Sequence, residues 1–287
     1  MSLRKQRVWV PKYLGLGEWE ETPPPLLLEH PSGMRVELID WMGDDLAIVD
    51  AARVSYGKSS KYEEWRIDPE NFQFEKKISD YDHVFWSGSE ESFHNWHQCL
   101  SAKDAGLVNF LMRERHGTPF EMVQLKFRVK APIGVIWEWV RHRIASYNIM
   151  STRYVEWDVD YYVPEAAEWR KAVGKQGNYN YETITDGSQL TIAQDYIEAM
   201  ESAFSYYGVL LEKGLAKEVA RNVLPMGAMT EMIWSVNLRS MFNFLSLRTD
   251  SRALQEIQIA ARMVQDLTSL VVPETMQLWK RHNKVTP

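Results

Sequence analysis

Between Val123 and Val129 the sequence VQLKFRV alternates apolar and polar residues without a break. A period of two puts Val123, Leu125, Phe127 and Val129 on one face, the pattern of a strand with one side in a core. Pro132 then suits the first turn of a helix, where its missing N–H costs nothing. Beyond it Ile133, Ile136, Trp137, Val140 and Ile144 recur at helical spacing and are expected to form a buried stripe. Glu138 and Arg141, three apart, share a different face. The chain is thus constrained to a fold in which a half-buried strand runs directly into an anchored helix.

The end of that helix carries the chemistry. RHRIASYNIMSTR, from Arg141 to Arg153, places three arginines, a histidine, two serines and an amide in thirteen residues. The segment is expected to leave the helix as a polar loop in which Ser146, Asn148, Ser151 and Arg153 converge on phosphate or carboxylate oxygens. Arginine suits this, because its planar fork binds phosphate at two points and keeps its charge in any surroundings. The plainer reading of RHR is a solvated helix end whose cations complement the helix dipole. The serines and amide at fixed short spacings favour the anion site, since a solvated face has no need of them.

With 287 residues, 45% hydrophobic and 12% aromatic, the chain can bury a large core and reads as one large domain. A net charge of −6 argues against a protein that coats nucleic-acid polymers, although local arginines can still serve a small nucleotide. Cys99 is the only cysteine, so neither an intramolecular disulfide nor a thiolate zinc cluster is possible, and a cytoplasmic setting fits. No stretch is apolar enough to span a bilayer, and the charged start, broken by proline and glycine, does not read as a signal peptide. His94 and His97, with Cys99 nearby, form a pair without a second cluster, and no metal site is expected.

Three zones flank the arginine block. Residues 1–33, with Pro23 to Pro25, read as an N-terminal arm, leaving 34–287 as the main domain. Residues from about 59 to 104 are rich in aromatic and acidic side chains, with the turn-like WSGSEES at Trp86 to Ser92, and read as an insertion. Leu190 to Lys213 and Ser251 to His282 contain few helix breakers and are expected to be long helices.

The run from Arg141 matches the pattern RHRxxSxNxxSxR and resembles, position for position, the flavin-dependent thymidylate synthases, which methylate dUMP without a catalytic cysteine. Further blocks resemble the same family in the same order. VELIDWMGDDLAIVDAARVSYGK, from Val36, is similar to its first strand and helix. RHGTPFEMVQLKFRVKAPI, from Arg115, is similar to its HxTPFE segment and following strand. KEVARNVLP, from Lys217, and WSVNLRSMFNFLSLRTDS, from Trp234, are similar to its remaining ligand-bearing blocks.

The resemblance implies a mixed α+β fold, with an antiparallel-rich sheet packed with long helices, assembled as a homotetramer whose sites combine several chains. It implies FAD as cofactor, with NADPH and methylenetetrahydrofolate as co-substrates. Arg248 would be the catalytic residue, placed against the uracil edge to stabilise charge at N3 and O2 and so make C5 nucleophilic without covalent attack at C6. Glu138, Arg141, Ile149, Met150, Ser151, Thr152, Arg153, Arg221 and Arg248 would hold dUMP. Ser55, Thr118, Glu121, Arg141, His142, Arg143, Asn237, Arg239 and Asn243 would hold FAD. His116 and Tyr154 would face the flavin and folate. Asn237, Arg239, Asn243 and Arg248 lie in an otherwise apolar stretch, where polar groups are expected to be paired.

Three positions depart from the family pattern. Glu138 stands where glutamine is frequent, Ile149 where an acidic or amide residue is frequent, and Arg252 where histidine is. A glutamate near a nucleotide phosphate repels it unless an arginine neutralises it, and Arg141, one turn on, is the expected partner. These changes keep two other readings open. One is flavin-dependent C5 modification of another pyrimidine nucleotide, such as dCMP, or formation of a hydroxymethyl product. The other is a nucleotide-binding homologue without catalysis.

Overall fold

The computed structural model describes residues 26–61, 63–65, 97–151, 153–175, 178–284 and 286–287; side chains are described throughout these except at 55, 63–65, 97–99 and 178–179. The chain runs β1 (Leu26–Glu29), β2 (Arg35–Met42), α1 (Asp45–Arg53), β3 (Glu63–Trp65), β4 (His97–Cys99) and α2 (Ala102–Arg113). It continues with β5 (Gln124–Pro132), α3 (Ile133–Trp139), β6 (Ser146–Ile149), β7 (Arg170–Lys175), β8 (Asn178–Thr183), α4 (Gln189–Glu212) and α5 (Lys217–Ala220). The last elements are β9 (Met229–Asn237), α6 (Leu238–Arg248), α7 (Gln255–Val271) and α8 (Pro273–Arg281).

The main sheet has five strands in the order β1-β2-β5-β9-β6, and each neighbouring pair is antiparallel. The expected strand is its centre: Val123, Leu125, Phe127 and Val129 are all fully buried, opposite Met232, Trp234 and Val236 of β9. Helices α6 and α7 cover this face with Met241, Phe242, Phe244, Leu245, Met263 and Val264. The other face is a ladder of charge, in which Arg35 meets Glu231 at 2.8 Å, Lys130 meets Asp160 at 2.6 Å and Arg128 lies between Glu37 and Glu231. An antiparallel sheet with one apolar and one charged face gives the alternation read from the sequence.

Within the segment expected to be an arm, Leu26–Glu29 is β1, an edge strand of the sheet; residues 1–25 lie outside the described residues. Most of the expected insertion, including WSGSEES and His94, also lies outside them, as do the side chains of His97 and Cys99. Its two stems are joined. Strands β3 and β4 pair antiparallel, and Arg53 at the end of α1 ion-pairs with Asp104 and donates to Ser60. Segments on either side are therefore held together by charge and by main-chain hydrogen bonds.

Helix α4 matches the expected first long helix, whereas Pro273 divides the second into α7 and α8. Asp45, itself buried, caps α8 from another element, accepting from the main-chain N–H groups of Glu274 and Thr275 at 3.1 and 2.9 Å. Two local expectations are corrected. Helix α3 stops at Trp139, and its buried residues are Val135, Ile136 and Trp139, while Trp137 and Ile144 are 61% and 76% exposed. The polar segment after it is not wholly a loop, because Ser146–Ile149 joins the sheet as β6, paired with Met232–Ser235. The helix ends at Trp139 and the chain turns to pair with β9 as β6, so Ile144 falls outside the helix.

Candidate active site

The site is built where α3 and α6 end side by side. Under it lies an aromatic bed: Trp139 stands edge-on to Trp234 at 5.1 Å, and Phe244 lies 4.6 Å from Trp139 and 5.0 Å from Trp234. Phe244 and Arg248 are one turn apart on α6, so anchoring the ring places the guanidinium beside α3. There Arg248 is held on every nitrogen. Nε donates to His142 Nε2 at 2.9 Å, Nη2 donates to the Glu138 carbonyl at 3.0 Å, and Nη1 faces the Glu138 carboxylate at 3.2 Å. Its side chain is 17% exposed.

His142 is fixed in turn. Its ring stands edge-on to Phe244 at 5.0 Å, and its carbonyl accepts from the Tyr147 hydroxyl at 2.6 Å. Burial and the neighbouring Arg248 cation lower its pKa to about 4. The ring is therefore neutral near pH 7. Since Nε2 accepts from arginine, the proton sits on Nδ1. Burial raises the Tyr147 hydroxyl to about 12, so it stays a donor.

The expected Glu138–Arg141 contact exists at 3.9 Å, but Arg248 is the nearer partner of that carboxylate. Glu138 therefore bridges two arginines. Arg141 is 71% exposed and Arg143 is exposed, so both present open guanidinium faces beyond the end of α3. Ile149, Met150 and Ser151 continue along and past β6 and are exposed, while Thr152 lies outside the described residues. Arg153 pairs with Glu218 of α5 at 3.1 Å, and Arg221 lies in the 3-10 turn that follows α5. Tyr154, which follows Arg153 in the chain, is exposed.

A second group gathers at the other end of α6. The 3-10 turn Thr118–Met122 packs between α1 and α6. From it Glu121 accepts from Arg239 Nη1 at 2.7 Å, and Arg239 Nε donates to the Pro287 carbonyl at 3.2 Å. The Asn237 side chain accepts from the main-chain N–H of Ser240 at 2.8 Å and so caps α6. His116 is exposed and edge-on to Phe110 at 5.6 Å, Asn243 is exposed, and Ser55 lies in the short turn after α1. Of the four polar residues expected to be paired around α6, three have partners within the chain and Asn243 faces outward. The residues that the sequence joins as one flavin set thus stand at opposite ends of an eleven-residue helix. That is roughly 16 Å at helical rise.

A family model described as thymidylate synthase complementing protein matches residues 37–274. The chain belongs to the flavin-dependent thymidylate synthase family. The flavin-dependent thymidylate synthase of Thermus thermophilus is 36% identical over 86% of this chain and 76% of its own length. That of Thermosipho africanus is 37% identical over 84% of this chain and 89% of its own. The crystal structure of a UMP/dUMP methylase, PolB, from Streptomyces cacaoi bound with 5-Br UMP superposes with a TM-score of 0.71 at 31% identity, covering 91% of this chain and all of that one.

Sequence reasoning did not single out several residues that contact these candidate side chains. Tyr147 ties down His142, Glu218 occupies Arg153, and Gly117 leaves room for Arg239, whose guanidinium a methyl group there would overlap. Gly117 was legible as the small residue inside HGTPFE. Glu218 lies three residues before Arg221, but its reach to Arg153 depends on two distant segments meeting.

Proposed function

We propose that this flavin-dependent thymidylate synthase family enzyme transfers the methylene of methylenetetrahydrofolate to C5 of dUMP and reduces it, giving dTMP. The observation that carries the reading is the guanidinium of Arg248, held by three contacts over an aromatic bed. A cation fixed before substrate arrives stabilises negative charge at N3 and O2 of a uracil without reorganising, which raises electron density at C5. Cys99 is the chain's only cysteine and matches no family block, so no thiol is assigned to C6.

The chain's own residues suit FAD. Arg141 and Arg143 present open forks of the geometry that binds a diphosphate at two points. Glu121 and Arg239, with Thr118 beside them, provide a second polar cluster. The chemistry FAD supplies when bound is hydride transfer to the incoming one-carbon unit, with NADPH restoring the reduced flavin. His142 stays neutral and leaves Arg248 as the charged group at the uracil edge. Arg153 and Arg221 would hold the nucleotide phosphate once Glu218 releases Arg153. Ser151 and the exposed residues Ile149 and Met150 would complete that cradle with Thr152, and His116 and Tyr154 would face the folate.

The two clusters stand at opposite ends of α6. That separation suits the two ends of an extended FAD, or a composite site in which copies within a homotetramer supply opposite ends. The enzyme is expected to work in the cytoplasm on small molecules.

The test is product analysis with purified protein, FAD, NADPH and methylenetetrahydrofolate, offering dUMP, UMP and dCMP separately. dTMP from dUMP, lost in Arg248→Ala with flavin still bound, supports the proposal. UMP belongs in the test because PolB is a UMP/dUMP methylase. A methylated or hydroxymethylated product from UMP or dCMP alone would replace dUMP as the substrate. Flavin binding without tritium release from C5-labelled dUMP would point to a non-catalytic nucleotide-binding protein.

A further inference from the structure

We infer that His142 is a positioning residue: its neutral imidazole aims the Arg248 guanidinium, a role beyond the cofactor contact that the family resemblance implies. The inference rests on the reading of Arg248 given above. Two hydrogen bonds define the guanidinium plane, Nε to His142 Nε2 at 2.9 Å and Nη2 to the Glu138 carbonyl at 3.0 Å. The second comes from a main-chain group and survives any side-chain change. The first depends on one imidazole lone pair.

That lone pair is protected from several sides. From α6, Phe244 stands edge-on to the ring at 5.0 Å and Arg248 approaches it as a cation. From β6, the Tyr147 hydroxyl grips the His142 carbonyl at 2.6 Å. From α3 and its end, Glu138 lies across the guanidinium, and Arg141 and Arg143 flank the histidine in sequence. Burial and the Arg248 cation oppose a positive charge on the ring, so Nε2 remains an acceptor at neutral pH. Nδ1–H is left as a donor for whatever lies above. A misaimed cation stabilises developing charge poorly even where substrate still binds, so the role is read in turnover more than in affinity.

Two variants separate this from packing. His142→Leu fills the space without an acceptor, and His142→Gln carries an oxygen that reaches the place of Nε2. The expected result is a fall in kcat of about 10²-fold for His142→Leu, with much less change in KM for dUMP, and substantial recovery in His142→Gln. Because the resemblance also places His142 among the FAD contacts, kcat is taken per bound flavin, read from the absorbance spectrum. Equal losses of kcat per bound flavin in the two variants would overturn the role. A separate readout needs no turnover: hydrogen–deuterium exchange at the imidazole C2 position, followed by mass spectrometry, reports the pKa of His142. Arg248→Ala should move that pKa upward. An unchanged value would refute the contact itself, whereas a wild-type protein that makes no dTMP but shows the shift would refute the proposed reaction and leave the contact standing.

Discussion

Glu138 is the departure from the family pattern whose effect can be worked out from geometry. Its carboxylate lies 3.2 Å from Arg248 Nη1 and 3.9 Å from Arg141 Nη1. At the shorter distance, unit charges in an effective dielectric of about 20 attract by roughly 5 kcal/mol. Glu138 is 38% exposed, however, and pairs open to water contribute about 1 kcal/mol or less. The screened value governs here. An anionic nucleotide arriving at these arginines must compete with that carboxylate and is repelled by it. Glu138→Gln removes the charge but keeps the main-chain carbonyl on Arg248 Nη2 and the His142 contact, so the guanidinium stays aimed. Expressed as affinity, about 1 kcal/mol predicts roughly fivefold tighter dUMP binding, with the gain shrinking as salt rises. Isothermal titration calorimetry of flavin-loaded protein at two ionic strengths measures both. Weaker binding in Glu138→Gln would refute the reasoning, because it would mean that the carboxylate accepts a hydrogen bond from the nucleotide.

Other contacts are open to the same treatment. Gly117→Ala should weaken FAD retention, because a methyl group there displaces Arg239 and breaks its 2.7 Å bond to Glu121; equilibrium dialysis of FAD against wild type checks this, and unchanged retention would remove Arg239 from the cofactor site. Tyr147→Phe should lower stability by about 1 kcal/mol through loss of the bond to the His142 carbonyl, read as a shift of the urea midpoint. Burial raises the Asp45 pKa to about 7 in the folded protein. The folded state therefore holds this proton more tightly than the unfolded chain, so the associated stability is present below about pH 4 and is lost as pH rises through about 7. Denaturation between pH 4 and 8 should show a shallower slope for Asp45→Asn; parallel slopes would refute the assignment.

The central strand was readable because its period matches a sheet with one buried face, and every apolar position from Val123 to Val129 is fully buried. The helix after it departs from its sequence pattern at the far end. Apolar spacing continues to Ile144, but the backbone leaves the helix after Trp139 to supply β6, and pairing with β9 outweighs helical propensity. Residues 26–29 carry no strong strand signal alone and become a strand because the exposed edge of β2 offers them partners. That the residues the resemblance assigns to FAD form two clusters was not legible, since spacing along a chain does not report which end of a helix a side chain faces from across the fold.

By itself the sequence determined residue chemistry and short-range periodicity: the RHR block, the single cysteine, the family pattern and the strand at the centre. These are properties of neighbours within a few residues, where backbone geometry sets which side chains share a face. Tertiary structure alone decided that Arg248 is held between His142 and Glu138, more than a hundred residues earlier in the chain. It also decided that Glu218 occupies Arg153 and that Asp45 caps α8. Such contacts depend on two segments packing against a common aromatic core, and the free energy of that packing is summed over the whole fold rather than held in any local run of residues.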